Sequence, residues 1–149
     1  MTRLLFVRHG QSEANLEGVF AGHINPALTE LGYRQAECTA EFIAKTYQVD
    51  AVYSSDLQRA YHTGLAVGRK LDLPVTTDPG LREIFAGSWE GRSFVELAAE
   101  HSPAYIQWFE DIGNAKCPGG ETVAELAARV FRTVRRIAEA NEGKTVVLA

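Results

Sequence analysis

Apolar positions along this chain alternate between short unbroken runs and longer stretches with helical spacing. Leu4 to Val7 is an unbroken run with the length of a buried strand, and it delivers Arg8, His9 and Gly10 at its carboxyl end. The stretch from Gly18 to Thr29 contains Gly18, Gly22, Asn25 and Pro26, which predicts a loop, with Thr29 as N-cap of a following helix. From Leu31 to Tyr47, Leu31, Ala36, Ala40, Phe42, Ile43 and Ala44 suit one amphipathic helix, and Val49 to Ser54 reads as a second buried strand. Ser54, Ser55 and Asp56 offer a capped start to another helix, which carries Arg59, Thr63 and Ala66 and closes at Asp72 to Pro74.

Pro74 to Thr77 predicts a short edge strand, and Leu81 to Gly91 (LREIFAGSWEG) is irregular and rich in glycine, aromatic and acidic residues, the composition of a site loop. Ser93 to Phe109 reads as one or two helices, taken as part of a small helical cap inserted over residues 93–115. Lys116 to Gly120 is a loop. A long helix runs from Glu121 or Thr122 to Asn141, Gly143 breaks it, and Thr145 to Ala149 begins another apolar strand. The expected fold is a single α/β domain over residues 1–149, a three-layer sandwich whose mostly parallel central sheet is flanked by helices.

Composition narrows the function classes. With 149 residues, 46% hydrophobic, the chain can bury one substantial core. A net charge of -4 and the scatter of Lys and Arg leave no electrostatic footprint for nucleic acid. Cys38 and Cys117 lie far apart without CxxC spacing, so neither a zinc site nor a disulfide is indicated, and a reducing cytoplasm is the expected setting. The first apolar stretch is interrupted at once by Arg8 and His9, which predicts neither a signal peptide nor a membrane span.

The chemistry concentrates at the end of the first strand. In an α/β sheet, ligands bind in the crevice outside the carboxyl ends of the strands, where Arg8 and His9 emerge, and Gly10 there is expected to let the backbone approach a ligand. Arginine presents a planar fork of donors that matches phosphate oxygens, and an imidazole near neutral pH can attack phosphorus and later release it. Together they point to a covalent phosphohistidine.

The full string LLFVRHGQSEAN, with Ser12, Glu13 and Asn15 behind the Arg-His-Gly triplet, resembles the signature of the histidine phosphatase superfamily, which includes the cofactor-dependent phosphoglycerate mutases. The resemblance implies a phosphoglycerate mutase-like fold and His9 as nucleophile. VYSSDLQRAYHT resembles the family's second motif, which makes Arg59 a phosphate ligand beside Arg8; LREIFAGSWEG resembles the stretch whose Glu is general acid and base, here Glu83. Asn15 and the backbone near Gly22 are expected as further phosphate donors, and His23 as a substrate contact. Trp89, Phe94 and Trp108 are expected either to line a substrate pocket or to fill the small core of the cap. His62 and His101 are read as structural, Glu90 as a surface residue, and Asp56 as able to share a helix face with Arg59 and Thr63. Gly119 to Thr122 resembles a turn that borders the family's site.

The implied function is a metal-independent, cofactor-free phosphomonoester hydrolase for small phosphorylated metabolites, with homodimerisation left open. FAGSWEGRSF after Glu83 is closer to the phosphatase branch than to the mutases. A phosphoglycerate mutase and a non-catalytic phosphoanion-binding module are the alternatives. The family places a second catalytic His in a Ser-His-Gly or Thr-His-Gly motif after a strand of the Thr145 to Ala149 kind. The sequence ends before it, so the domain is expected to be C-terminally incomplete, with exposed sheet edges as the consequence.

Overall fold

The computed structural model describes all of residues 1–149. Four parallel strands form the sheet: β1 (Arg3–Phe6), β2 (Ala51–Ser54), β3 (Val75–Thr77) and β4 (Thr145–Leu148), in the order β1-β4-β2-β3. The last strand thus inserts between the first two. Its Val146, Val147 and Leu148 are buried, and this suits the continuous apolar run of a strand covered on both faces. Leu5 pairs with Val147 on one side and Val52 with Val147 on the other, which fixes the register.

Side chains alternate across the strands, and each face meets its own helices. On one face Val52 and Val147 pack with Ala36, Ala40 and Ile43 of α2 (Glu30–Thr46) and Ala66 and Val67 of α3 (Gln58–Leu71). On the other, Val146 and Leu148 pack with Ile137 and Val134 of the long C-terminal helix, Val123–Ala140. The result is the expected three-layer α/β arrangement. β3 lies at one edge, as its short polar sequence predicts, and β1 at the other. Phe6 of β1 is 67% exposed.

Three smaller helices complete the chain. α1 (Glu13–Glu17) was not predicted by periodicity; a reciprocal cap between Ser12 and Asn15 starts it and Gly18, at φ +66, ends it. α4 (Phe94–Ala99) and α5 (Pro103–Glu110) are capped by Ser93 and Ser102, and α6 is the long helix, capped by Thr122. A third core, built on Phe20, Ile84, Trp89, Leu97, Tyr105 and Cys117, ties α4 and α5 to the loops on either side of the sheet. Thr29 caps α2 as predicted. The start of α3 differs: Leu57 is its N-cap, without a side-chain cap, and the Ser55 hydroxyl instead accepts from the Leu57 amide.

Candidate active site

The carboxyl ends of β1, β4 and β2 are joined by backbone hydrogen bonds, Val7 N–H to Leu148, Ala149 N–H to Tyr53 and Ser55 N–H to Ala149. Residues 8 and 9 therefore leave β1 onto the same rim from which α3 departs. His9 sits at the head of this rim, half-buried. Its Nδ1 lies 2.6 Å from the Gly10 carbonyl oxygen, which can only accept. The proton is therefore on Nδ1, and Nε2 carries the lone pair. Burial, the largest influence, lowers the His9 pKa below its ordinary 6.5; the hydrogen bond to Gly10 opposes this, and Arg59 and Arg8 reinforce it. A neutral, oriented imidazole is the form required for attack on phosphorus.

Gly10 has a packing reason to be glycine. A Cβ there would lie 2.2 Å from the carbonyl oxygen of Gly32, so glycine lets the loop after β1 pack directly on the first turn of α2. The Gly10 amide donates to the Thr63 hydroxyl (3.2 Å), which itself donates to the Arg59 carbonyl (2.8 Å). The loop carrying His9 is thereby anchored to both helices on that face of the sheet.

Arg59 lies in the first turn of α3 and is buried, 3% exposed. Its Nη1 and Nη2 donate to the carbonyls of Ile24 (3.0 Å) and Gly22 (2.8 Å), which hold its guanidinium against the loop before α2. Arg8 is exposed and lines the same clefts. Gly22, at φ +52, is buried, and a Cβ there would collide with the Glu90 carboxylate. Asn15 Oδ1 is occupied by Ser12, so its side-chain amide NH2 is the group left to donate to a ligand.

A cleft of about 420 Å³ brings together Arg8, His9, Asn15, Gly22, Arg59 and Glu83. Glu83 is exposed, and the arginines nearest in sequence are paired elsewhere: Arg82 forms a two-pronged pair with Asp56, and Arg92 pairs with Glu100. Asp56 precedes α3 and reaches Arg82, so it does not share the helix face of Arg59 and Thr63. Of the aromatic residues left undecided by the sequence, Phe94 and Trp108 line the cleft while Trp89 is core, 3% exposed.

His23 does not line this cleft; its Nε2 donates to the Glu83 carbonyl (2.8 Å) and its ring packs on Phe85. Glu90 is not a solvated surface residue, because its Oε1 accepts from the amides of His23 (2.8 Å) and Ala86 (3.0 Å). Arg129 of α6, which sequence reasoning missed, donates to the carbonyls of Gly80, Arg82 and Glu83 and pairs with Glu121, whose other contact is the Phe85 amide. Its signal was available in principle: an arginine two turns into a helix whose first residues border the site. His62 bridges to the Tyr33 hydroxyl, and His101 is exposed at φ +47.

This geometry coincides with a family match. Residues 4–149 match the histidine phosphatase superfamily (branch 1). The chain belongs to that superfamily. A bifunctional protein of Mycobacterium tuberculosis is 40% identical over 147 residues, covering 99% of this chain and 40% of that protein. The adenosylcobalamin/alpha-ribazole phosphatase of Salmonella typhimurium is 37% identical over 135 residues, covering 91% of this chain and 66% of its own. Among solved structures, a mycobacterial glucosyl-3-phosphoglycerate phosphatase in complex with VO3 superposes with a TM-score of 0.89 at 34% identity, over 99% of this chain and 73% of that chain. The chain therefore spans between two fifths and about three quarters of these relatives. No helix is long and apolar enough to cross a membrane.

Proposed function

We propose that this histidine phosphatase domain hydrolyses phosphomonoesters of small metabolites through a phosphohistidine at His9. The observation that carries the reading is a neutral His9 with Nε2 free, in one cleft with two arginines and the Glu83 carboxylate, which forms no ion pair and accepts only from the Ile84 amide. Relatives named as alpha-ribazole and glucosyl-3-phosphoglycerate phosphatases support a small phosphorylated substrate.

In the first step Nε2 attacks phosphorus, the P–O bond to the alcohol breaks, and Glu83 gives its proton to the leaving alkoxide. Arg8, Arg59, the Asn15 amide and the Gly22 N–H neutralise the charge spread over the non-bridging oxygens. In the second, Glu83 takes a proton from water, whose oxygen attacks phosphorus; the P–N bond breaks, phosphate leaves and neutral His9 returns. The helices within residues 93–115 act as a cap that screens this chemistry from bulk water.

Phosphate release from an alkyl phosphate tests the reading. His9→Ala is expected to abolish it, Arg59→Ala to slow it by about 10²–10³-fold, and His101→Ala to leave it unchanged. Unimpaired release by His9→Ala would overturn the mechanism, and conversion of 3-phosphoglycerate to its 2-isomer without phosphate would replace hydrolysis by mutase chemistry.

A further inference from the structure

The lining of the cleft falls into two chemically distinct sets. Arg8, His9 and Arg59 make up the cationic part, and Val19, Phe20, Ile84, Phe94, Trp108 and Ile112 supply apolar wall. No further basic side chain lines the cleft. The arginines closest in sequence to its walls are each committed to a carboxylate, Arg82 to Asp56, Arg92 to Glu100 and Arg129 to Glu121. The one carboxylate that lines the cleft, Glu83, would repel a second anionic group on a substrate.

The apolar wall is rigidly built. Phe20 packs beneath three rings at once, with centroids 5.5 Å from Phe94 and 5.7 Å from both Trp89 and Trp108. Trp89 and Trp108 meet edge to face at 87°. These contacts fix the orientation of Phe94 and Trp108, and the reciprocal cap of Ser93 with Glu96 holds the first turn of α4 behind Phe94. Yet Phe94 remains 45% and Ile112 53% exposed. Large apolar side chains held open around a cleft that also carries cationic groups are the mark of a site whose ligand has one anionic and one apolar half.

We propose that the preferred substrate is a phosphomonoester of an uncharged alcohol bearing a flat, apolar group, and that Phe94, Trp108 and Ile112 select it against carboxylate-bearing phosphates. This rests on the phosphohydrolase reading above and goes further by naming the alcohol. The phosphoryl group lies against the arginines, and the ring packs against Phe94 and Trp108, where a carboxylate would lose its hydration without gaining a cation.

The test pairs turnover with binding, using benzyl phosphate, glycerol 3-phosphate and 3-phosphoglycerate, all alkyl monoesters. The expected order of kcat/KM is benzyl phosphate, then glycerol 3-phosphate, then 3-phosphoglycerate, with about tenfold between first and last. Phe94→Ala should raise KM for benzyl phosphate about tenfold and leave glycerol 3-phosphate within about twofold. Ile112→Lys, an exposed change with little risk to folding, should invert the order in favour of 3-phosphoglycerate. Calorimetry with benzylphosphonate against 3-phosphoglycerate on His9→Ala reads the same preference without turnover. Tighter 3-phosphoglycerate binding in the unaltered cleft, or a Phe94→Ala loss equal for all three esters, overturns the substrate class. Selective benzylphosphonate binding without hydrolysis of any ester by the unaltered chain supports the substrate class and overturns only the hydrolase reading.

Discussion

At His9, one hydrogen bond decides the chemistry. The Gly10 carbonyl accepts from Nδ1–H and leaves the lone pair on Nε2, while burial and two arginines disfavour the imidazolium. The sign of the pH dependence follows. A pKa below 6.5 keeps the nucleophile neutral at neutral pH, so the acidic limb of kcat/KM should fall below pH 6.5, and NMR titration of the His9 ring should give the same midpoint. Arg59→Ala removes one of the groups that disfavour the charged ring, so it should move that midpoint upward; a downward move would contradict the electrostatic account. That His9, Arg8, Arg59 and Glu83 would lie together was legible in the sequence, and they do line one cleft. Residues that act through backbone groups were not legible: Glu90, His23 and Gly10 hold loops together, and only the fold brings their partners within reach.

Among the elements, α6 has a second task besides covering the sheet. Through Arg129 and Glu121 it grips the carbonyls of residues 80, 82 and 83 and the amide of residue 85, so the backbone bearing Glu83 is set by a helix. Arg129→Gln is therefore expected to slow alkyl phosphates at least about tenfold through kcat, because a displaced Glu83 protonates the leaving group poorly. Aryl phosphates with good leaving groups should be affected much less, and Arg129→Lys, which keeps the charge but loses the fork, should fall between. Equal losses on both ester types would show that Arg129 supports only the fold. α2 was read from its apolar periodicity and α6 from its start and stop signals to within a residue or two, whereas the cap of α3 lies at Leu57, beyond the Ser54 to Asp56 start the sequence offers. α1, with five residues, has too few turns to show a period and is set by its caps.

For the whole molecule, the α/β class follows from alternating apolar runs and amphipathic helices, whereas the strand order does not. Insertion of β4 between β1 and β2 depends on pairing over more than ninety residues, which no local pattern records. β1 lies at one edge of the four-stranded sheet, and its Phe6 is exposed. In the proposed mechanism charge neutralisation rests on arginines, so EDTA is expected to leave turnover unchanged; strong inhibition by chelation would point to a metal phosphatase. The central claim concerns a single bond between phosphorus and His9 Nε2. Rapid quench of the chain with an alkyl phosphate, followed by peptide mass spectrometry under alkaline conditions, should find an acid-labile phosphoryl group on the peptide carrying His9 and none in His9→Ala. Phosphate released with that peptide unmodified at every time point, or a label on another residue, would contradict the account.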